Sequence, residues 1–71
     1  SMLVFYSPRD VESLLSNFPA FEQGNIKIAV FGDATHRMTM EHNLKIDIQA
    51  PTSRFPSLSM ALDDYFKTLK S

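Results

Sequence analysis

Leu3-Val4-Phe5-Tyr6 opens the pattern as a continuous apolar run, and Ser7-Pro8 ends it. A run with β-branched and aromatic members predicts a strand buried on both faces. Serine followed by proline is a helix start, because serine caps and proline favours the first helical position. Val11, Leu14, Leu15 and Phe18 then recur at i, i+3, i+4 and i+7, the apolar stripe of an amphipathic helix. Asp10 and Glu12 fall near its start, where the helix dipole favours anions. Pro19 ends this helix, and Gly24-Asn25 marks a turn.

Residues 26–31 are again nearly all apolar and predict a second strand. Gly32-Asp33 turns it into a second helix over 34–42, with Asp33 as its cap and Thr35 displayed one turn in. The stripe here is weaker: Ala34, Met38 and Glu41 share one line, Met40 and Leu44 another, and Asn43 marks the end. Residues 45–49 alternate polar and apolar, which predicts a short edge strand with one wet face. Ala50-Pro51-Thr52-Ser53 reads as a loop. A third helix from Phe55 or Pro56 to Leu69 carries the best stripe in the chain: Leu58, Ala61, Leu62, Tyr65, Phe66 and Leu69. Asp63, Asp64, Lys67 and Lys70 take its other face.

Strand and helix thus alternate three times with short loops and no linker, repeat or low-complexity segment. Such units build a parallel sheet through right-handed crossovers. The expectation is an α/β fold, βαβαβα, with a three-stranded parallel sheet and flanking helices. Its strand order is sequential, as part of a doubly wound, flavodoxin-like lobe. Ser1-Met2 read as a cloning remnant ahead of a start methionine. A core strand that begins at once, at Leu3, points to residues 3–71 being a piece of a larger lobe. The outer edge of the first strand has no partner in this chain, and an open apolar edge tends to pair with another chain. A homodimer or swapped assembly that completes the sheet is therefore expected.

Composition narrows the function classes. With 71 residues the chain forms at most one domain and buries only about 60% of its unfolded surface. It has no cysteine, hence no disulfide. Seven basic and eight acidic residues give a net charge of −1, so no basic excess points to nucleic acid or an anionic membrane. No apolar run approaches the roughly 20 residues of a membrane helix. No signal-peptide pattern is visible, and a cytoplasmic setting is the expectation.

Ligands of parallel sheets sit at the carboxyl ends of the strands, beside the next helix start. Three such ends are predicted: Tyr6-Ser7-Pro8, Gly32-Asp33-Ala34-Thr35 and Ala50-Pro51-Thr52-Ser53. Each offers a hydroxyl near free backbone N–H groups, a row of anion-friendly positions. Each hydroxyl also reads as an ordinary helix cap. The phosphate fingerprints G-x-G-x-x-G and G-x-x-x-x-G-K-[ST] are absent. His36 and His42 are six residues apart and share no helix face, so no metal site is expected. Met38, Met40 and Met60 read as core fillers, and Asp63-Asp64 as a solvated helix face.

The segments "VFYSPRDVESL", "KIAVFGDATHRM", "LKIDIQAPT" and "PSLSMALDDYF", in this order and spacing, resemble the C-terminal part of the uroporphyrinogen-III synthase family. The resemblance implies an enzyme of two flavodoxin-like α/β lobes that takes the linear tetrapyrrole hydroxymethylbilane. It inverts the last ring and closes the macrocycle with loss of water, using no metal or organic cofactor. Its substrate's eight carboxylates lie between the lobes against backbone N–H groups and hydroxyls. By position, Ser7 matches the family's serine after a strand, Gly32 the glycine of a Gly-Pro-Thr-Thr turn, and Thr35 its second threonine. Asp33 stands where proline is common and Ala34 where the first threonine is common. Thr52 lies in the family's Pro-Thr loop. The implied substrate-binding set is Ser7, Gly32, Ala34, Thr35 and Thr52. The family's proposed proton-donor tyrosine lies upstream of the matched segments, so the catalytic residues are unknown here, and a single lobe is expected to be inactive alone. The competing expectation is a non-enzymatic α/β module that associates through its sheet edge.

Overall fold

The computed structural model describes residues 2–69. Ser1 and Lys70, which the readings above place in a cloning remnant and on the third helix, lie outside them. The element order is β1 (Met2–Phe5), α1 (Pro8–Asn17), β2 (Lys27–Phe31), α2 (Asp33–Glu41), β3 (Ile48–Ala50) and α3 (Leu58–Leu69). The strands form one parallel sheet in the order β1-β2-β3. Register pairs Leu3 with Ile28 and Phe5 with Val30, then Ala29 with Ile48 and Phe31 with Ala50. The α/β architecture and sequential order are those the alternation of apolar runs predicts.

A sequential order with right-handed crossovers puts α1 and α2 on the same face, where they pack against each other. Because side chains alternate along a strand, β2 feeds two cores. Ile28 and Val30 join Phe5, Val11 and Leu44 under α1 and α2. Ala29 joins Ile48, Ala50, Leu58 and Ala61 under α3. Alanine at position 29 leaves the room that lets α3 lie close on the central strand. α3 covers β2 and β3 but leaves β1 partly open. Val4 is 37% exposed and Leu3 is partly buried, so Phe5 is the one fully buried residue of β1.

Several boundaries move for identifiable reasons. β1 lies one residue earlier than expected, because Tyr6 belongs to the bend before α1. β3 begins at Ile48 rather than Lys45. Asp47 accepts the Ile28 N–H through its carboxylate (3.0 Å) while its own N–H donates to the Ile28 carbonyl (2.8 Å), so a side chain stands in for a ladder partner just before the strand. α2 begins at Asp33, with Gly32 as its cap, so Asp33 is the first helical residue and not the cap. α3 begins at Leu58 instead of Phe55 or Pro56. Ser57 precedes it and accepts the Met60 N–H through its hydroxyl (3.2 Å).

The α2 stripe is turned from its expected phase. Thr35 and Thr39 face inward, fully buried, while Ala34 and Met40 are exposed. A threonine methyl packs as a small apolar group. The Thr39 hydroxyl donates to the Thr35 carbonyl at 2.7 Å, which satisfies a polar group that burial would otherwise penalise. Met40 and Met60 are accordingly about half exposed rather than core fillers, and of these three methionines Met38 packs on the core. Asn43, at φ 60°, ends α2 in the left-handed conformation common just past helices.

Candidate functional site

The carboxyl ends of the three strands define one rim. At the first end, Ser7 is extended (φ −152°, ψ 160°) and caps α1, with Pro8 as the first helical residue. The Asp10 carboxylate reaches back and accepts the N–H groups of Tyr6 (2.8 Å) and Ser7 (3.2 Å). That contact fixes the turn and occupies the one acidic group nearest to it. Tyr6 is 60% exposed, with its ring 6.3 Å from that of Phe31, so aromatic surface links the first two strand ends.

At the second end Gly32 has φ +93°, a conformation L side chains rarely adopt. The Gly32 N–H donates to the Ala50 carbonyl at 2.7 Å, and its carbonyl accepts the His36 N–H at 3.0 Å. The glycine therefore ties the end of β2 to the end of β3 and launches α2 in the same residue. By helix geometry the N–H groups of Asp33, Ala34 and Thr35 have no intrahelical acceptor, and they open toward the rim at the positive end of the helix dipole. Thr35 is only 2% exposed, so it is not displayed as expected. Its hydroxyl oxygen lies 3.9 Å from the place a Cβ on Gly32 would take, so the hydroxyl faces the space the glycine leaves. Ala34, exposed, stands at the surface of the same turn.

The third end differs most from expectation. The chain leaves β3 through a cis Ala50-Pro51 peptide. Thr52 is exposed, and its hydroxyl accepts the Phe55 N–H at 2.8 Å while its N–H donates to the Phe55 carbonyl at 2.8 Å. The loop closes on itself, and the third helix start lies further on, at Ser57. Two helix starts, not three, thus stand directly at the strand ends. Ser57 was findable as the serine directly before the first residue of the α3 stripe. Beside the rim, Asp33, His36, Arg37, Met40 and Glu41 line a shallow groove along α2. His36 and Met40 also border a second groove, between α2 and β3, that includes Lys45 and Gln49.

A parallel sheet with its helix starts, hydroxyls and a glycine turn at one edge defines an α/β protein with a rim suited to acidic ligands. The family model described as uroporphyrinogen-III synthase HemD matches residues 1–59, which include the whole rim. The chain belongs to the uroporphyrinogen-III synthase family. No curated protein and no solved structure matches it.

Proposed function

We propose that this chain is part of one lobe of a uroporphyrinogen-III synthase. In that enzyme it supplies a rim that holds carboxylates of hydroxymethylbilane during ring inversion and closure to uroporphyrinogen III. The observation that carries the reading is the coincidence of the family match with the Gly32 turn. There a left-handed glycine, three helix-start N–H groups and the Thr35 hydroxyl meet at the end of the central strand. In this reading the helix-start N–H groups of Asp33, Ala34 and Thr35 and the hydroxyls of Ser7, Thr35 and Thr52 meet the carboxylates, Gly32 shapes the turn with its own N–H held by Ala50, and the chemistry is completed by a second lobe. The lobe's flavodoxin-like completion and the pairing of β1 with a further chain, as a homodimer or swapped assembly, belong to the same proposal. The half-open Val4 on an edge strand without charge or proline supports that pairing.

Rapid gel filtration of the chain with hydroxymethylbilane tests the rim, and isomer analysis of the product tests the activity. Retention of the bilane with the protein and formation of only the spontaneous type-I product are expected. Absence of retention contradicts the rim, and type-III product contradicts the need for a second lobe.

A further inference from the structure

The chain has three arginines and four lysines, and the fold sorts those among the described residues to opposite edges of the sheet. Arg9 is the second residue of α1, Arg37 lies in the second turn of α2, and Arg54 lies in the loop after β3. Each follows a rim hydroxyl by two residues: Ser7 and Arg9, Thr35 and Arg37, Thr52 and Arg54. The described lysines sit at the amino edge. Lys27 opens β2, and Lys67 is in the last turn of α3. Lys45 precedes β3, where its backbone exchanges hydrogen bonds with the Gln23 amide at 2.7 and 2.8 Å.

The two sets also differ in their partners. Lys27 lies 3.9 Å from Asp47, and Lys67 lies 2.9 Å from Asp63. Among the described residues Arg9 and Arg37 make no ion pair, although Asp33 and Glu41 flank Arg37 one turn either side. Arg54 is 4.0 Å from Asp64 and stands 5.0 Å over the Phe55 ring. That exposed pair, at the limit of contact, holds it weakly. A mixed distribution of both cation types is the ordinary surface. Here the planar, bidentate cation lies along the rim and the point-charge cation lies along the other edge.

We propose that Arg9, Arg37 and Arg54 form a row of carboxylate clamps, one for each βα turn, that lets the rim select ligands by their number of acidic groups. The inference rests on the rim reading above. It adds side-chain cations to a set that consisted of N–H groups and hydroxyls. A guanidinium matches a carboxylate with two parallel N–H···O bonds, which an ammonium cannot do. Arg9 and Arg37 stand on two packed helices, whose axes lie about 8–10 Å apart, and Arg54 stands on a third turn, so one small monoacid engages a single clamp, whereas a polycarboxylate can engage several. Asp33, at the same rim, disfavours monoanions that lack a second contact.

Calorimetric titration of the whole chain with uroporphyrin III (eight carboxylates), coproporphyrin III (four) and the tetrapyrrole-free hexaacid mellitate tests the row. Uroporphyrin is expected to bind more tightly than coproporphyrin. R9Q, R37Q and R54Q are each expected to weaken uroporphyrin and mellitate about five- to tenfold and to flatten the salt dependence. R37K restores only part of the loss, and K27Q and K45Q change affinity less than about twofold. Thermal melts of these exposed-site variants check the fold. If the triple variant R9Q/R37Q/R54Q binds uroporphyrin as wild type does, the row is overturned and the tetrapyrrole reading stands. If mellitate binds through the arginines and uroporphyrin does not bind, the row stands and the tetrapyrrole reading falls. Failure of both probes at low salt overturns the row.

Discussion

Asp47 and Ile28 exchange two hydrogen bonds across the start of the sheet. The Asp47 carboxylate accepts the Ile28 N–H at 3.0 Å, and the Asp47 N–H donates to the Ile28 carbonyl at 2.8 Å. Ile28 is fully buried, so its N–H has no water to turn to. The pair joins β2 to the approach of β3 one residue before the regular ladder begins, and so helps to set the register that brings Ala50 to Gly32. Asp47→Ala is expected to cost about 1–3 kcal/mol, because it leaves a buried donor unpaired. Asp47→Asn retains an acceptor and is expected to cost less than half as much. Urea unfolding of the two variants beside wild type measures the difference, and equal losses would count against the role given to the carboxylate.

Gly32→Ala is a test of conformation rather than space. An added Cβ would meet only the Thr35 hydroxyl oxygen, at 3.9 Å, an ordinary contact. The cost is therefore the strain of a Cβ at φ +93°, about 1–3 kcal/mol. A lowered unfolding midpoint with unchanged circular dichroism is the expected result. A variant as stable as wild type would mean that the turn relaxes.

The Thr39–Thr35 bond predicts a small response. Thr39→Val keeps the buried shape and removes the 2.7 Å bond. It also removes the hydroxyl itself, so no donor is left stranded. The expected cost is at most about 1 kcal/mol. Thr39→Leu inserts volume at a fully buried position and is expected to cost about 1–3 kcal/mol. The same unfolding experiment ranks the two.

Lys67 and Asp63 supply a pH prediction. Their 2.9 Å hydrogen bond and charge attraction raise the Lys67 pKa above the ordinary 10.5. A raised lysine pKa means that the pair's contribution is fully present below the ordinary value and is lost as pH rises through the folded one. The Lys67 side chain is fully exposed, so the effect on stability is small and is better read at the group itself. NMR titration of the Lys67 side chain is expected to show an apparent pKa that falls on Asp63→Asn.

Val4 stands on the free edge of β1 and is 37% exposed. A lysine there guards the edge, so Val4→Lys is expected to reduce self-association at high protein concentration in sedimentation experiments. Identical behaviour of wild type and variant would remove β1 as the contact.

The parallel order was legible because Leu3–Phe5 and Ile28–Phe31 are apolar runs alternating with helical stretches, but burial on both faces holds for β2 and not for β1, where Val4 stays exposed because α3 covers only β2 and β3. The Gly32 turn was legible from glycine at the end of such a run. The phase of α2 was not, because a pattern scored on hydrophobicity counts Thr35 and Thr39 as polar. Each has a methyl that packs, and the Thr39 hydroxyl finds a carbonyl within its own helix. The start of β3 was not legible, because the Asp47 side chain does what backbone does elsewhere in the ladder, and no alternation of residue types encodes that. At the site, the hydroxyls were visible as residue types, but whether each one is open to a ligand depends on local bonding. Thr52 spends its hydroxyl on Phe55, and Thr35 reaches outward only past a residue without a side chain. The arginine row has no linear motif beyond its spacing from those hydroxyls. It becomes visible only when the three strand ends are aligned at one edge.

Amide-resolved NMR of the chain during titration with uroporphyrin III tests the account most directly, because it locates the ligand without reference to activity. The account predicts perturbed amides at Ser7, at Gly32 through Thr35 and around Thr52, with residues 23–27 and Lys45 at the opposite edge unchanged. Perturbations centred on that amino edge, with the Gly32 turn silent, would contradict it.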